Sequence, residues 1–202
     1  MEENLYNKID YPETIHKIND WSFKFRYEFY KKLECFLSSG MIIDYISAKL
    51  IKFNKLALLS TKPPVELNII NSPLFMHDKS FSFAVFSSNK PFLWIDTFDN
   101  NKFYELKCKK MDNFGFTSAI SLYAGDKDQT ISISFATKRT NKDINNYYLE
   151  NIKYLYKIAS FVEKVALPMF CEMFSLKLNG SYFSTISNLN PHARIFLAVN
   201  NV

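Results

Sequence analysis

The chain has 202 residues, of which 48% are hydrophobic and 22% are charged, a composition typical of one soluble globular domain with a substantial core. Its three cysteines are far apart and odd in number, which argues against a disulfide framework and indicates reduced thiols. The acidic start lacks the apolar core of a signal peptide, and no uncharged apolar run approaches the roughly 20 residues needed to span a bilayer. We therefore expect a cytoplasmic protein with no membrane partner.

The charge pattern gives no sign of a nucleic-acid groove. The net charge of +5 is mild, and the only tight basic cluster is formed by Lys107, Lys109 and Lys110. On a helix these lysines would spread around the surface, which favours a solvated face over a phosphate-binding groove. The twenty phenylalanines and twelve tyrosines predict a thick aromatic core or an aromatic-lined pocket.

The first predicted element is a helix that follows a flexible lead-in. Residues 1–19 are polar and unpatterned, whereas from Asp20 onward large apolar side chains recur at helical spacing. Gly40 is expected to end this helix after about five turns. The apolar side chains concerned are Trp21, Phe25, Phe29, Leu33, Phe36 and Leu37.

A β-hairpin is predicted next, with strands at 42–53 and 56–60. Pro63-Pro64 ends the pairing, because proline has no backbone N–H to donate. The following segment, 65–89, is ambiguous, since the apolar run at 81–86 fits a short buried helix or a strand equally well. One face of the first strand is expected to carry Ile43, Tyr45, Ser47, Lys49 and Ile51.

The stretch 92–138 predicts a strand end, a helix and a second hairpin. Asp99 is placed to cap the helix, and Gly115 is placed to end it in a left-handed turn. Alternating apolar and polar side chains then predict two half-buried antiparallel strands, at 117–123 and 129–136. The helical face expected to be shared is that of Phe103, Leu106 and Lys110.

The clearest helical pattern begins after a capping box at 140–143 and is expected to end before Pro168. Beyond this proline the tail is almost uncharged, and its Asn179-Gly180 pair predicts a hairpin between 174–178 and 181–183. The helical stripe comprises Ile144, Tyr148, Ile152, Leu155, Ile158, Phe161, Val162 and Val165.

This order of elements predicts an α+β fold in which one antiparallel sheet carries helices on both faces, an α/β/α sandwich of the PAS or GAF type. We expect a flexible lead-in at 1–19, one domain at 20–167 and a short tail at 168–202. The tail carries two basic residues and no capped helix pair, so no DNA-binding module is recognisable in it.

The sequence predicts no catalytic, metal or cofactor site. His16, His77 and His192 stand in unrelated contexts, and none shares a helix face with another histidine or a cysteine. Gly125 stands alone in its turn, which does not make a phosphate-binding loop, and no serine lies in a nucleophile elbow. We therefore expect a protein that is not an enzyme and needs no cofactor.

The stretch from Trp94 to Thr137 resembles the autoinducer-binding domain of LuxR-type quorum-sensing regulators. The motifs are Trp94 near a strand end, the helix after it, Gly-Phe-Thr-Ser at 115–118, and a hairpin closing on Ile-Ser-Phe-Ala-Thr at 133–137. The resemblance extends over about residues 20–167. It implies a sensor of a small amphiphilic ligand, an acyl-homoserine lactone or an analogue, with a homodimer or a heterodimer with a related regulator as the assembly.

Three ligand-binding residues follow from this resemblance. Trp94 is similar to the tryptophan that packs on the lactone ring, Asp78 to the acid that accepts from the acyl amide, and Ser134 to a pocket hydroxyl on the last strand. Each has a simpler interpretation. Trp94 would then be plain core, Asp78 a surface cap for the segment of Phe81, and Ser134 an outward-facing strand residue.

The sequence also departs from the family in this region. Residues 62–70 contain neither the tryptophan nor the tyrosine that the family places before the acid. A buried ligand carbonyl without such a donor costs about 1–3 kcal/mol. The usual Asp-Pro is Asp78-Lys79, and Ala119 replaces a turn glycine. Two hypotheses follow: the ligand differs, or side chains such as Phe81 and Phe83 fill the pocket.

We predict a LuxR-like ligand-sensing domain that acts in transcription regulation through a partner and does not itself bind DNA specifically. An alternative is a ligand-free interaction or dimerisation protein that keeps the fold and has lost the pocket. A third hypothesis is a truncated gene product in which the residues after Pro168 carry no selected structure.

Overall fold

The computed structural model describes residues 11–38, 42–52, 55–81, 90–125, 129–140, 143–175 and 182–183. Within these residues the chain forms an α+β fold with a five-stranded antiparallel sheet and five α-helices, which confirms the predicted class. The strands, in chain order, are β1 Tyr45–Lys52, β2 Lys55–Ser60, β3 Phe92–Leu93, β4 Ser118–Gly125 and β5 Gln129–Thr137. Their order across the sheet is β2-β1-β5-β4-β3.

The helices lie on both faces of this sheet. They are α1 Tyr11–Ser38, α2 Pro64–Ile70, α3 Phe103–Lys110, α4 Ile144–Glu150 and α5 Ile152–Phe174. Single-turn 3-10 helices connect the second layer, at Pro73–His77, Lys79–Phe81, Trp94–Thr97, Asn100–Lys102 and Asp112–Phe114. Helices α1 and α5 pack against one face of the sheet, whereas α2, α3 and the short helical turns cover the other.

The first helix is longer than the sequence predicts. It begins at Tyr11, so the part of the lead-in from Tyr11 to Asn19 is helical. The predicted apolar stripe holds, with Phe25, Phe29 and Leu33 buried in the first core, which lies between the sheet and helices α1 and α5. Ile18 is buried in the second core, which lies between the sheet and the layer of α2 and α3. Gly40, the predicted end, lies outside the described residues.

Both predicted hairpins are present. In the first, Lys52 pairs with Lys55, and in the second Gly125 pairs with Thr130, although the turn residues 53–54 and 126–128 lie outside the described part of the chain. Gly115 adopts the predicted left-handed conformation with φ of 71°, and the side chain of Asp99 accepts from the backbone of Asn101 as a cap. Alternation and turn chemistry thus located the strands correctly.

The expectation of half-buried strands is wrong, because both faces of β1, β4 and β5 are buried. One face is apolar and forms the first core with α1 and α5. The other face carries serines, a lysine and tyrosines, and it packs against the layer of α2 and α3. Alternation of apolar and polar residues therefore marks two different interiors here rather than an interior and a surface.

The long C-terminal helix does not end before Pro168, as the sequence predicts. Helix α5 continues through this exposed proline to Phe174, and its extra turns bury Met169, Phe170 and Met173 in the first core. That burial compensates for the roughly 3 kcal/mol that a proline costs inside a helix. The predicted boundary between domain and tail thus falls inside a helix, and the division of the chain stays a prediction.

Other details of this region also differ from prediction. Asn151 separates α4 from α5, and Asp143 makes no side-chain capping bond, while Asn141 and Lys142 lie outside the described residues. Phe161 is 42% exposed instead of buried, and its ring meets that of Phe36 at 5.1 Å. The predicted tail hairpin is wrong where it can be followed. Its first residue lies in α5, and the 182–183 pair is helical.

A buried carboxylate joins the tail to the core. Glu163 of α5 is fully buried, and its oxygens accept from the backbone N–H groups of Tyr182 at 2.7 Å and Phe183 at 2.9 Å. The Phe183 side chain is completely buried in the first core. Hydrogen bonds to a charged acceptor contribute about 1.5–3 kcal/mol, so this contact fixes the end of the described chain.

We expect Glu163→Gln to lower the free energy of unfolding by about 1.5–3 kcal/mol, because a neutral amide replaces one of two acceptor oxygens with a donor. The matched control is Glu172→Gln, on the same helix, which removes only an exposed ion pair with Lys24 and should change stability by less than about 1 kcal/mol. Thermal unfolding followed by circular dichroism compares them. Equal melting temperatures would contradict the anchoring role of Glu163.

Candidate functional site

The candidate site lies on the polar face of the sheet. Strand register places Ser47 opposite Ser134 and Ser134 opposite Ser121, so three serines form a row across the central strands β1, β5 and β4. All three are buried, with exposed fractions of 0–1%. Buried hydroxyls need hydrogen-bond partners, and the covering layer supplies them.

Trp94 reaches this row from the edge of the sheet. It follows strand β3 and begins a 3-10 turn, which turns its fully buried indole inward. The indole Nε1 donates to Ser121 Oγ at 3.0 Å, and Ser121 Oγ lies 2.7 Å from Ser134 Oγ. The tyrosine ring of Tyr45 meets the indole edge-on at 5.8 Å. Trp94 and Ser134 are thus two ends of one hydrogen-bonded chain.

Asp78 enters from the segment between two 3-10 turns, where its side chain is 1% exposed. Its Oδ1 accepts from the Ser80 backbone N–H at 2.9 Å, and its Oδ2 accepts from the Lys110 ammonium at 2.6 Å. Burial favours the neutral carboxyl, but the positive charges of Lys110 and Lys49 outweigh it and hold the pKa of Asp78 below its ordinary value.

Lys110 connects Asp78 to Trp94. Its ammonium lies 4.3 Å from the indole centroid, within cation–π range, and donates to Ser80 Oγ at 3.2 Å. The lysine is fully buried, so the expectation of a solvated lysine cluster is wrong at this position. The reason is its place on α3, four residues after the fully buried Leu106 and on the same face.

A second ion pair lies beside the first. Glu66 of α2 accepts at Oε1 from Tyr45 Oη at 3.1 Å and Ser47 Oγ at 3.2 Å, and its Oε2 lies 3.6 Å from the Lys49 ammonium. Both charged side chains are fully buried. Burial lowers the pKa of Lys49 to about 8, an effect that Glu66 opposes and the charge of Lys110 reinforces. Burial and the charge of Glu66 raise the pKa of Tyr45 well above its ordinary value.

The structure brings the three residues predicted from sequence into one place. Trp94, Asp78 and Ser134 are joined through Ser121 and Lys110, so Ser134 is not outward-facing. Asp78 does cap the segment of Phe81 through the Ser80 backbone N–H, but it is buried and not at the surface. Contact of these three residues with a ligand stays a prediction. Together with their neighbours they form a buried polar cluster of Tyr45, Ser47, Lys49, Glu66, Asp78, Ser80, Trp94, Lys110, Ser121, Ser132 and Ser134.

Sequence reasoning missed the charged members of this cluster, Lys49, Glu66 and Lys110. Signals for two of them were present. Lys110 shares a helical face with apolar neighbours, and Lys49 lies in phase with Tyr45 and Ile51 on a strand that the sheet makes central. Glu66 gave no such signal, because a single acid in an apolar helix is ordinarily solvated.

Segment 62–70 lacks the tryptophan and tyrosine of the family, but other elements bring donor groups to this interior. Tyr45, Lys49 and Lys110 bring one hydroxyl and two ammonium groups to this interior from β1 and α3. Phe81 is buried among them, with its ring 4.0 Å from the Lys49 ammonium. Phe83, the other side chain expected to fill the pocket, lies outside the described residues.

Other kinds of site find no support in the part of the chain that the structure describes. No three His, Cys, Asp or Glu side chains there come together in a way that could hold a metal ion. Cys35, Cys108 and Cys171 form no disulfide with one another. Among the same residues, no helix has the length and apolar character needed to cross a bilayer.

Comparison with solved structures finds LuxR-type proteins, the family whose autoinducer-binding domain the sequence resembles. The VqsR LBD domain of Pseudomonas aeruginosa shares 12% identity at a TM-score of 0.48, covering 74% of this chain and 94% of that one. SdiA of Escherichia coli shares 12% identity at a TM-score of 0.47, and the alignment covers 77% of this chain and 64% of SdiA. CepR2 of Burkholderia cenocepacia, an N-acylhomoserine lactone dependent LuxR family transcription factor, shares 10% identity at a TM-score of 0.43, with coverages of 77% and 98%. No protein-family model and no curated protein matches the sequence.

The depressed pKa of Lys49 predicts that stability rises with pH. Above about pH 8 the folded protein releases this proton, while the unfolded chain holds it until near 10.5, so the unfolded state binds more protons in between. From pH 8 to 9, where most tyrosines are still protonated in both states, the gain should be about 1 kcal/mol. Chemical denaturation at each pH measures it.

The control for this prediction is the double variant Lys49→Met with Glu66→Gln, which removes the titrating ammonium without leaving an unpaired buried charge. Over the same pH range its free energy of unfolding should rise less than that of the wild type, by the amount given above, because the other lysines titrate in both proteins. Parallel pH profiles for the two proteins would show that Lys49 keeps an ordinary pKa.

Proposed function

We propose that this chain is a small-molecule sensing domain. Its amphiphilic ligand would bind between the polar face of the sheet and the layer formed by residues 64–81 and 90–110, with Trp94, Asp78 and Ser134 at its head group. The observation that carries this proposal is the linkage of these three residues through Lys110 and Ser121 in one buried polar cluster. A ligand site combines apolar walls with a few converging polar groups, and this interior has both.

The energetic cost of the cluster supports the same proposal. Two lysines and two carboxylates are fully or almost fully buried in it. Buried ion pairs barely repay their desolvation, and well-packed apolar residues of similar size often give equal or greater stability. Selection for stability alone would favour an apolar interior such as the first core on the opposite face of the sheet. We therefore interpret the charged groups as kept for recognition.

The finer parts of the proposal concern the biological role. The sequence resemblance to LuxR-type autoinducer-binding domains supports an acyl-homoserine lactone or a related amphiphile as the ligand. It also supports a role in transcription regulation exerted through a partner, either a second copy of this chain or a related regulator. Direct sequence-specific DNA binding by the chain itself is not part of the proposal.

One observation favours a second candidate function, a ligand-free interaction protein that keeps this fold. The acceptor oxygens of Asp78 are already engaged by Lys110, by Ser80 and, at 3.5 Å, by the Thr97 hydroxyl. A ligand amide would have to compete with these donors. In that case the cluster would serve only to fix the packing of the second layer on the sheet.

A thermal-shift screen of acyl-homoserine lactones and related amphiphiles separates the two functions, because a ligand that binds only the native state raises its melting temperature. We expect stabilisation of the wild type. The Ser134→Ala variant removes one hydroxyl and little volume, and we expect it to weaken binding roughly three- to tenfold at near-normal stability.

The matched control is Ser22→Ala on α1, which removes a buried serine hydroxyl that donates to the backbone carbonyl of Leu58 on β2 and is not part of the cluster. This variant should retain the wild-type ligand response. If no amphiphile stabilises the wild type, the interaction protein is the better assignment. If Ser134→Ala and the wild type respond equally, a sensor remains but Ser134 does not contact its ligand.

A further inference from the structure

A second row of polar side chains lies beside the serine row on the same face of the sheet. Strand register places Lys49 opposite Ser132, and Ser132 opposite Tyr123. This row is two residues along the strands from Ser47, Ser134 and Ser121, and its members are fully buried. Glu66 of α2 closes over it, with its Oε2 3.6 Å from the Lys49 ammonium.

This second row has polar atoms that the described residues do not satisfy. Ser132 Oγ and Glu66 Oε2 are buried and have no hydrogen-bond partner within that part of the chain. The Lys49 ammonium has three N–H donors, yet its nearest acceptors there are Ser80 Oγ at 3.5 Å and Glu66 Oε2 at 3.6 Å. By contrast, the ammonium of Lys110 is 2.6 Å from its carboxylate. A buried polar group left unbonded loses its hydration without compensation, so a ligand that bonds these atoms recovers that cost.

The charges of the cluster decide which kind of head group fits. Lys49 and Lys110 contribute two positive charges, and Glu66 and Asp78 contribute two negative charges, so the ensemble is formally neutral. An added carboxylate or ammonium would be a buried charge without a counter-ion, which is strongly unfavourable. The head group must therefore be uncharged, and it must offer both an acceptor and a donor.

We propose that Lys49, Glu66 and Ser132 form a subsite for an uncharged carboxamide head group. The amide oxygen accepts from the Lys49 ammonium and the amide N–H donates to Glu66 Oε2, while the Ser132 hydroxyl contributes a further bond from the sheet. Standard bond lengths separate the amide oxygen and nitrogen by about 2.2 Å, which suits two partners 3.6 Å apart. This inference rests on the proposed sensing function and assigns ligand acceptance to Glu66, because Asp78 is held by Lys110.

The test uses three decyl compounds of equal chain length: decanamide, decanoate and decylamine. Their affinities for the purified chain are measured by calorimetry at pH 7, and thermal shifts confirm that binding stabilises the fold. We expect decanamide to bind wild type at least tenfold more tightly than either charged compound. Ser132→Ala should weaken decanamide roughly three- to tenfold. Ser22→Ala removes a hydroxyl that bonds the Leu58 carbonyl and no side chain of the cluster, so it should leave all three affinities unchanged.

Two further variants change the charge of the subsite in opposite directions. Glu66→Gln leaves the ensemble with one net positive charge and should shift the preference toward decanoate. Lys49→Met leaves one net negative charge and should shift it toward decylamine. Thermal unfolding of each variant without ligand checks that it folds. If a charge variant fails to fold, Ser132→Ala still tests the subsite.

The outcomes separate this inference from the proposed function. If neither the decyl compounds nor the acyl-lactones bind wild type, the sensing function itself is contradicted. If an acyl-lactone binds but decanamide does not, or if a charged compound binds as tightly as decanamide, sensing stands and the amide subsite is overturned. An unchanged order of preference in folded Glu66→Gln would likewise overturn it.

Discussion

The ion pair between Asp78 and Lys110 is the interaction on which the second layer of this structure depends. It joins α3 to the irregular segment before it, and the same ammonium lies over the indole of Trp94. Asp78 also pairs through its backbone with Phe98. This one residue therefore contacts both α3, through Lys110, and the segment around Phe98. Breaking a buried pair by removing one partner costs about 3–5 kcal/mol, although the intact pair adds little stability. The second layer is therefore sensitive to the loss of either partner of this pair.

The two faces of the sheet consequently have different physical roles. The face toward α1 and α5 is apolar and supplies most of the hydrophobic stabilisation. The face toward α2 and α3 combines aromatic walls with two buried ion pairs and a row of serines. Lysines are costly in such an interior, and this asymmetry is the physical basis of the proposal that this face recognises a ligand.

Much of the fold follows from local sequence patterns, while the chemistry of the site does not. Alternation located both hairpins, and Gly115 and Asp99 behave as turn and cap because their local geometry needs no tertiary information. Alternation along a strand cannot show, however, whether the polar face meets water or a second layer, so sequence reasoning gives Lys49 an ordinary strand position. A cluster of lysines on a helix likewise indicates a solvated surface, which is where Lys110 is expected. Helix α5 passes Pro168 because burial of Phe170 and its neighbours, a tertiary effect, outweighs a local penalty. Trp94, Asp78 and Ser134 were found only through the family resemblance, which carries the three-dimensional information that patterns lack.

The central claim is that the interior beside Trp94 receives a ligand, and the indole N–H resonance of this residue tests it most directly. The chain has two tryptophans, so a ¹⁵N-labelled Trp21→Phe variant leaves a single indole signal, that of the group bonded to Ser121. A stabilising amphiphile should shift this signal saturably, with the midpoint that calorimetry gives for binding. A signal that stays fixed at saturating ligand would contradict a ligand site at Trp94.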